Sequence, residues 1–172
     1  MDRSAAAAAP TTTAAGTLTT ASPDQTRALG RALGAAAEPG TLLALVGPLG
    51  AGKTLLTKGV AEGLGVRSVV NSPTFVLMNE HAGRLRLFHV DAYRLGDPEE
   101  AFVAGLLDER QVAGVTVVEW ADRLAGWLPD ERLEIEIEPD PDRDEGRTLR
   151  WRAIGAQSAR LAGAALPGGM GR

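Results

Sequence analysis

The sequence predicts an α/β domain, and three observations carry that expectation. Residues 41–46 (TLLALV) and 115–118 (VTVV) are short, continuously apolar runs entered from glycine, the pattern of strands buried on both faces. The first run passes directly into Gly47-Pro-Leu-Gly-Ala-Gly-Lys53-Thr54, and residues 53–64 after it are helix-compatible, with Gly65 placed as a C-terminal cap. Towards the C terminus, Leu133, Ile135 and Ile137 alternate with Glu134, Glu136 and Glu138, which reads as a strand with one wet face.

The remaining elements follow in chain order. Residues 1–21, rich in Ala and Thr, lack the bulky apolar stretch of a secretory signal and read as a disordered tail. Ser22, Pro23 and Asp24 read as an N-cap, a proline at the first helical position and a first-turn acid, opening a helix to about Ala37 that Pro39-Gly40 ends. Residues 74–80 and 84–90 flank His81-Ala-Gly83 as a hairpin. Asp97-Pro98-Glu99-Glu100 opens a further helix to about Leu107, and a short helix to Trp127 follows Glu119-Trp120. Residues 147–154 alternate Leu149 and Trp151 with Arg150 and Arg152, so the basic face of this strand fits opposite the three glutamates. The chain thus divides into the tail 1–21, a domain over 22–155, and residues 156–172 as a short helix with a flexible Gly/Ala-rich end. Trp127 and Trp151 read as core.

At 172 residues the length suits one domain with a proper core. The absence of cysteine removes disulfides, thiolate zinc sites, iron–sulfur clusters and a cysteine nucleophile. A net charge of -4 argues against a sequence-independent grip on nucleic acid, so any RNA connection is expected to be indirect. No run approaches the roughly 20 apolar residues needed to span a bilayer, so no membrane association is expected and the cytoplasm is the default location.

The segment 47–54 matches the phosphate-loop pattern G-x-x-x-x-G-K-[ST] in full, and each fixed position has a task. Gly47 and Gly52 permit a close backbone approach, so that consecutive N–H groups from about Gly50 through Ala51, Gly52, Lys53, Thr54 and Leu55 can face phosphate oxygens. The helix N-terminus adds its dipole. Lys53 is a compact cation for the terminal phosphates, and Thr54 places a hydroxyl for Mg²⁺. Only Lys53 and Lys58 among the eighteen basic residues are lysine, so one of two lysines falls where an arginine fork would not substitute. Such a loop needs an acid at the end of a nearby strand; Glu119 is the best candidate, by direct or water-mediated coordination. Asp91, ending residues 84–90, is a second carboxylate for metal, water positioning or general-base work. The Asn-Lys-x-Asp reader of guanine is excluded because no lysine follows Lys58, which leaves ATP by elimination. A small-metabolite kinase and a nucleotide-sensing binding module share these features.

Taken together, Leu49-Gly-Ala-Gly-Lys-Thr54, Ser72-Pro-Thr-Phe75, His89-Val-Asp-Ala-Tyr-Arg94, Val118-Glu-Trp120 with Leu128-Pro129, and Gly146-Arg147 resemble the TsaE (YjeE) family of bacterial tRNA threonylcarbamoyladenosine synthesis over about residues 22–154. The resemblance implies a phosphate-loop ATPase of the three-layer type with a mixed, mostly parallel sheet. Thr54 and Glu119 would bind Mg²⁺; Lys53, Asp91 and Glu119 would carry hydrolysis; Ser72, Pro73, Thr74 and Phe75 would form a switch. Thr26, Trp120 and Arg147 would lie at the nucleotide. It further implies action with TsaD and TsaB, which transfer the threonylcarbamoyl group to the adenosine beside the anticodon, with tRNA met only indirectly. Pro48 departs from the pattern, where the family usually carries Asp; the ring removes an N–H from the loop's first turn. His89 and Tyr93 read as packing or hydrogen-bonding partners, outside the catalytic set.

Overall fold

A computed structural model describes residues 11–73, 77–103, 105, 107 and 109–168. Strand β1 (Thr12–Thr20) precedes helix α1 (Pro23–Ala36); β2 (Leu42–Val46) leads to α2 (Lys53–Gly63). The hairpin β3 (Met78–His81) and β4 (Leu87–Asp91), the short α3 (Pro98–Val103), and β5 (Val115–Glu119) follow. The chain closes with β6 (Arg132–Pro139), β7 (Arg147–Ile154) and α4 (Ala156–Ala165). The strands form one seven-stranded sheet in the order β1-β7-β6-β2-β5-β4-β3. Its centre, β6-β2-β5-β4, is parallel, while β3, β7 and β1 add antiparallel edges. This is the α/β class that the sequence predicts, with the mixed, mostly parallel sheet that the family resemblance implies.

Strand periodicity of two decides which residues meet which layer. On one face Leu43, Leu45, Val115, Val117, Ile135, Leu149 and Trp151 pack under Leu29 and Leu33 of α1, Leu56 and Val60 of α2, and Leu161 of α4. On the other face Leu42, Ala44, Val90 and Val118 pack with Leu95 and Leu124, so the cover there is a short turn and loop layer over the central strands only. Beyond it, β6 and β7 expose their charged ladder: Glu134 pairs in register with Arg152 and Glu136 with Arg150.

Helix α1 starts where the sequence places it, with the Ser22 side chain accepting from the Gln25 N–H at 3.2 Å. Its packing on α2 rests on glycine at spacing four in both helices. A Cβ on Gly30 would lie 2.3 Å from the Leu56 carbonyl oxygen, on Gly34 2.1 Å from that of Val60, and on Gly59 2.2 Å from that of Arg27. The two helix backbones therefore touch, and α1 is held directly against the helix that follows the glycine-rich loop 47–52.

The structure corrects several expectations. Residues 12–20 are not tail but an edge strand antiparallel to β7, from Thr12 opposite Ile154 to Thr20 opposite Arg147. Small β-branched residues and the lack of a side chain at Gly16, whose Cβ would stand 2.7 Å from the Trp151 indole, fit this strand to its neighbour without any large apolar residue of its own until Leu18. The helix expected to reach Leu107 is described only over Pro98–Val103, and residues 104, 106 and 108 lie outside the described residues. After Glu119 a 3-10 turn, Ala121–Leu124, replaces the short helix. Trp127 is 48% exposed, whereas Trp151 is buried as expected. Helix α4 extends to Ala165 and packs on the core through Leu161, Ala162 and Ala165.

Candidate functional site

The loop 47–52 leaves β2 and enters α2 at the carboxyl end of the parallel strands, where open α/β sheets gather their ligands. Gly47 passes so close to β6 that a Cβ would lie 2.3 Å from the Ile137 carbonyl oxygen. Gly50 and Gly52 have φ of 77° and 109°, a left-handed backbone that other residues rarely adopt. The loop needs glycine at these positions, which is the structural content of the sequence pattern.

Around it the chemistry-bearing side chains converge on an open cleft of about 330 Å³ that the loop lines together with Leu55, Ser72, Asp91, Tyr93, Glu119 and Trp120. Lys53, 5% exposed, donates through Nζ to the carbonyls of Gly47 at 2.5 Å and Pro48 at 2.9 Å, with the Trp120 ring centroid 4.0 Å away. Burial pushes its ammonium pKa down, against the opposing charges of Glu119, Asp91 and Asp122. Thr54 Oγ1 donates to Glu119 Oε1 at 2.8 Å, and Glu119 Oε2 is bonded to Nε2 of the fully buried His89. Asp91 accepts from Ser72 Oγ at 2.5 Å and from the Tyr93 N–H at 2.9 Å. Trp120, in the left-handed conformation at φ 57°, meets Tyr93 in a tilted ring contact, centroids 4.8 Å apart and planes at 45°.

Two residues reach the loop from its far side. The Thr26 hydroxyl shares a 2.7 Å hydrogen bond with that of Thr20, and its methyl lies 3.9 Å from where a Cβ on Gly52 would stand. Arg147 donates from Nε to the Ala51 carbonyl at 2.7 Å, from Nη2 to that of Gly50 at 3.4 Å, and from Nη1 to that of Gly146 at 2.7 Å. Its fork shapes the loop backbone. Ser72 of the expected switch stands beside Asp91, with Pro73 next to it in the chain; Thr74 and Phe75 lie outside the described residues.

The residues present fit a magnesium-bound nucleoside polyphosphate. Among the described residues no group of three or more His, Asp or Glu side chains forms a metal cage. A hydroxyl and one carboxylate beside a glycine-rich loop at a helix N-terminus is the partial donor set that Mg²⁺ takes when phosphates and water complete its shell. A larger hollow, about 620 Å³, lies on the open sheet face near Gly16, but its charges are paired across strands, Arg150 to Glu138 at 2.9 Å and Arg152 to Glu134 at 2.6 Å.

The model of the family described as Threonylcarbamoyl adenosine biosynthesis protein TsaE matches residues 20–149, a span containing every residue of the loop cleft, with Thr26, His89 and Arg147. The chain belongs to the TsaE family. Its similarity to the tRNA threonylcarbamoyladenosine biosynthesis protein TsaE of Bacillus subtilis (strain 168) is 45% identity over 137 residues, covering 79% of this chain and 84% of that protein. The TsaE of Streptomyces coelicolor is 44% identical over 115 residues, covering 65% and 78%. A crystal structure of Bacillus subtilis YdiB matches with a TM-score of 0.71 at 37% identity, over 87% of this chain and 92% of that one. The TsaE-family match starts at residue 20, so β1 stands almost wholly outside it.

Sequence reasoning left His89 out of the site. The signal was the alternation His89, Asp91 on one strand, which puts both on the face of Glu119 once β4 and β5 pair in register.

Proposed function

We propose that this TsaE-family chain binds ATP with Mg²⁺ in the loop cleft and hydrolyses it, as the ATP-dependent subunit that supports threonylcarbamoylation of the tRNA adenosine next to the anticodon. It acts in the cytoplasm with TsaD and TsaB, and meets tRNA through them. The observation that carries the ATPase reading is the convergence of Lys53, Thr54 and Glu119 at the N-terminus of α2, with Asp91 across the cleft. The biosynthetic role rests on the family and on the names of its members.

The residues divide the work. N–H groups from Gly50 to Leu55 and the α2 dipole hold phosphate oxygens, as helix N-termini do for anions. Lys53 leaves the carbonyls of Gly47 and Pro48 to meet the terminal phosphates, exchanging two dipoles for full charges. Thr54 and Glu119 hold Mg²⁺, which when bound neutralises charge on the phosphates. Asp91 orients the attacking water once the Ser72 hydroxyl releases Oδ2, so the bond between them is the resting contact of the switch. Thr26 and Arg147 fix the loop from behind, on the side open to the base.

Lys53→Ala tests this directly. Loss of a charge-assisted contact worth about 1.5–3 kcal/mol lowers ATP affinity about tenfold or more. Cells carrying only this variant are expected to lose threonylcarbamoyladenosine from bulk tRNA, measured by mass spectrometry; a normal level overturns the role.

A further inference from the structure

The acid at the end of β5 is a glutamate, one methylene longer than the aspartate more usual at that position, and it is 2% exposed. A buried carboxylate needs partners for both oxygens, and a longer side chain needs something to choose its rotamer. The structure supplies both from one neighbour. Strands β4 and β5 run parallel with His89 opposite Val117 and Asp91 opposite Glu119, so His89 lies one strand repeat below Glu119 on the same face. Its imidazole is fully buried, and Nε2 meets Glu119 Oε2. Oε1 is left for the Thr54 hydroxyl, at 2.8 Å.

Because a carboxylate only accepts, the shared hydrogen sits on Nε2. The other ring nitrogen, Nδ1, is buried with no hydrogen-bond partner. A bare acceptor without a partner is the less costly arrangement there, so the tautomer is fixed as Nε2–H. The two oxygens of Glu119 thus have separate duties: Oε2 is anchored to the sheet, and Oε1 points at the hydroxyl that starts α2.

We propose that His89 is a positioning residue for the metal site, orienting Glu119 so that Oε1 alone faces the cation while Oε2 remains tied to Nε2–H. This rests on the reading of Thr54 and Glu119 as Mg²⁺ ligands. The anchor compensates for the extra methylene: it sets the reach of the carboxylate without any contact between His89 and the nucleotide. Partners of this kind behind a metal ligand are worth about 10–100-fold in metal affinity.

The test titrates MgCl₂ into the full chain with a non-hydrolysable ATP analogue and follows binding by calorimetry, beside binding of the analogue without metal. His89→Leu removes the donor and keeps an apolar filler; His89→Gln returns an N–H near the position of Nε2. The leucine variant is expected to raise the Mg²⁺ midpoint about 10–100-fold with metal-free binding unchanged, and the glutamine variant to recover most of the loss. A purely structural role moves both kinds of binding together and shows no rescue, which overturns the proposal. An unchanged midpoint in the leucine variant also overturns it. If neither variant folds, ¹⁵N spectra of the wild-type imidazoles decide, since the chain has only two histidines: His89 as the Nε2–H tautomer, perturbed on Mg²⁺ addition, supports the anchor, and an Nδ1–H tautomer refutes it. Nucleotide binding by the wild type with no Mg²⁺ dependence defeats the metal reading itself, whereas a Mg²⁺-dependent wild type with an indifferent leucine variant defeats the anchor alone.

Discussion

Gly34→Ala should destabilise the fold although alanine is the better helix former. The added Cβ would stand 2.1 Å from the Val60 carbonyl oxygen, 2.9 Å from the carbonyl carbon and 3.0 Å from the Gly63 Cα. A carbon–oxygen contact relaxes at about 3.3 Å, so α1 and α2 must part by about 1 Å. These are backbone atoms, with no rotamer to turn away. A gap of that size forfeits about a quarter to a half of each dispersion contact along the seam, and overpacking of this kind costs about 1–3 kcal/mol. With the strain near the upper end and helix propensity returning about 1 kcal/mol, the net loss is about 2 kcal/mol. In a chain of this size that lowers Tm by about 4–8 °C. Gly163→Ala in α4 is the internal control: its Cβ meets nothing within 4 Å, so the same chemical change should stabilise by about 0.5–1 kcal/mol. Thermal and urea unfolding followed by circular dichroism reads both. A Gly34 variant as stable as the parent, or two variants shifting in the same direction, would refute the idea that backbone contact and not propensity governs the α1–α2 seam.

Deleting residues 1–20 removes β1, opens the β7 edge and uncovers Trp151 beside Gly16; Tm should fall by more than about 4 °C, whereas loss of a mere tail leaves it unchanged. Glu62, bonded to Arg27 and to Arg31 at 3.1 Å, has its pKa held below the ordinary 4.5, first by the hydrogen bond from Arg27. A lowered carboxylate pKa stabilises the fold above that ordinary value and loses the contribution as pH falls through the folded one. Glu62→Gln should therefore flatten the acid limb of the stability profile and shift Tm at neutral pH by no more than about 2–4 °C, less in high salt; an unaltered acid limb rules out this linkage.

Local chemistry made part of the molecule readable. The loop 47–54 is contiguous, its glycines are demanded by its own backbone, and the strand before it and helix after it carry the expected patterns, so the α/β class and the glycine-rich turn between β2 and α2 follow from one stretch of chain. Glu134 to Glu138 facing Arg150 and Arg152 was readable for the same reason, since hairpin neighbours are close in sequence. What escaped depends on which distant segments meet. Glycines at 30, 34, 59 and 63 look like weak points in two helices until the helices are known to touch. β1 has no large apolar residue before Leu18, and its edge position comes from a partner about 130 residues later. His89 belongs to the site only through the β4–β5 register, which no single segment encodes.

The cleft also shows what residue 48 contributes to the loop. The cleft side chains Lys53, Thr54, Glu119 and Asp91 are each already bonded within the protein: Lys53 to two carbonyls, Thr54 to Glu119, Glu119 to His89, and Asp91 to Ser72 and the Tyr93 N–H. The proposed nucleotide binding would exchange internal hydrogen bonds for ligand ones, and what would favour it is the gain in charge, since neutral carbonyls would give way to phosphate oxygens. In that exchange residue 48 takes part through its carbonyl, which accepts from Lys53 Nζ at 2.9 Å and from the Ala51 N–H at 3.1 Å. Proline lacks an N–H but keeps that carbonyl, and its fixed φ reduces the entropy lost in ordering the loop. Proline therefore keeps the two contacts by which residue 48 closes the first turn, while the donors proposed to cradle phosphate start beyond it, at Gly50.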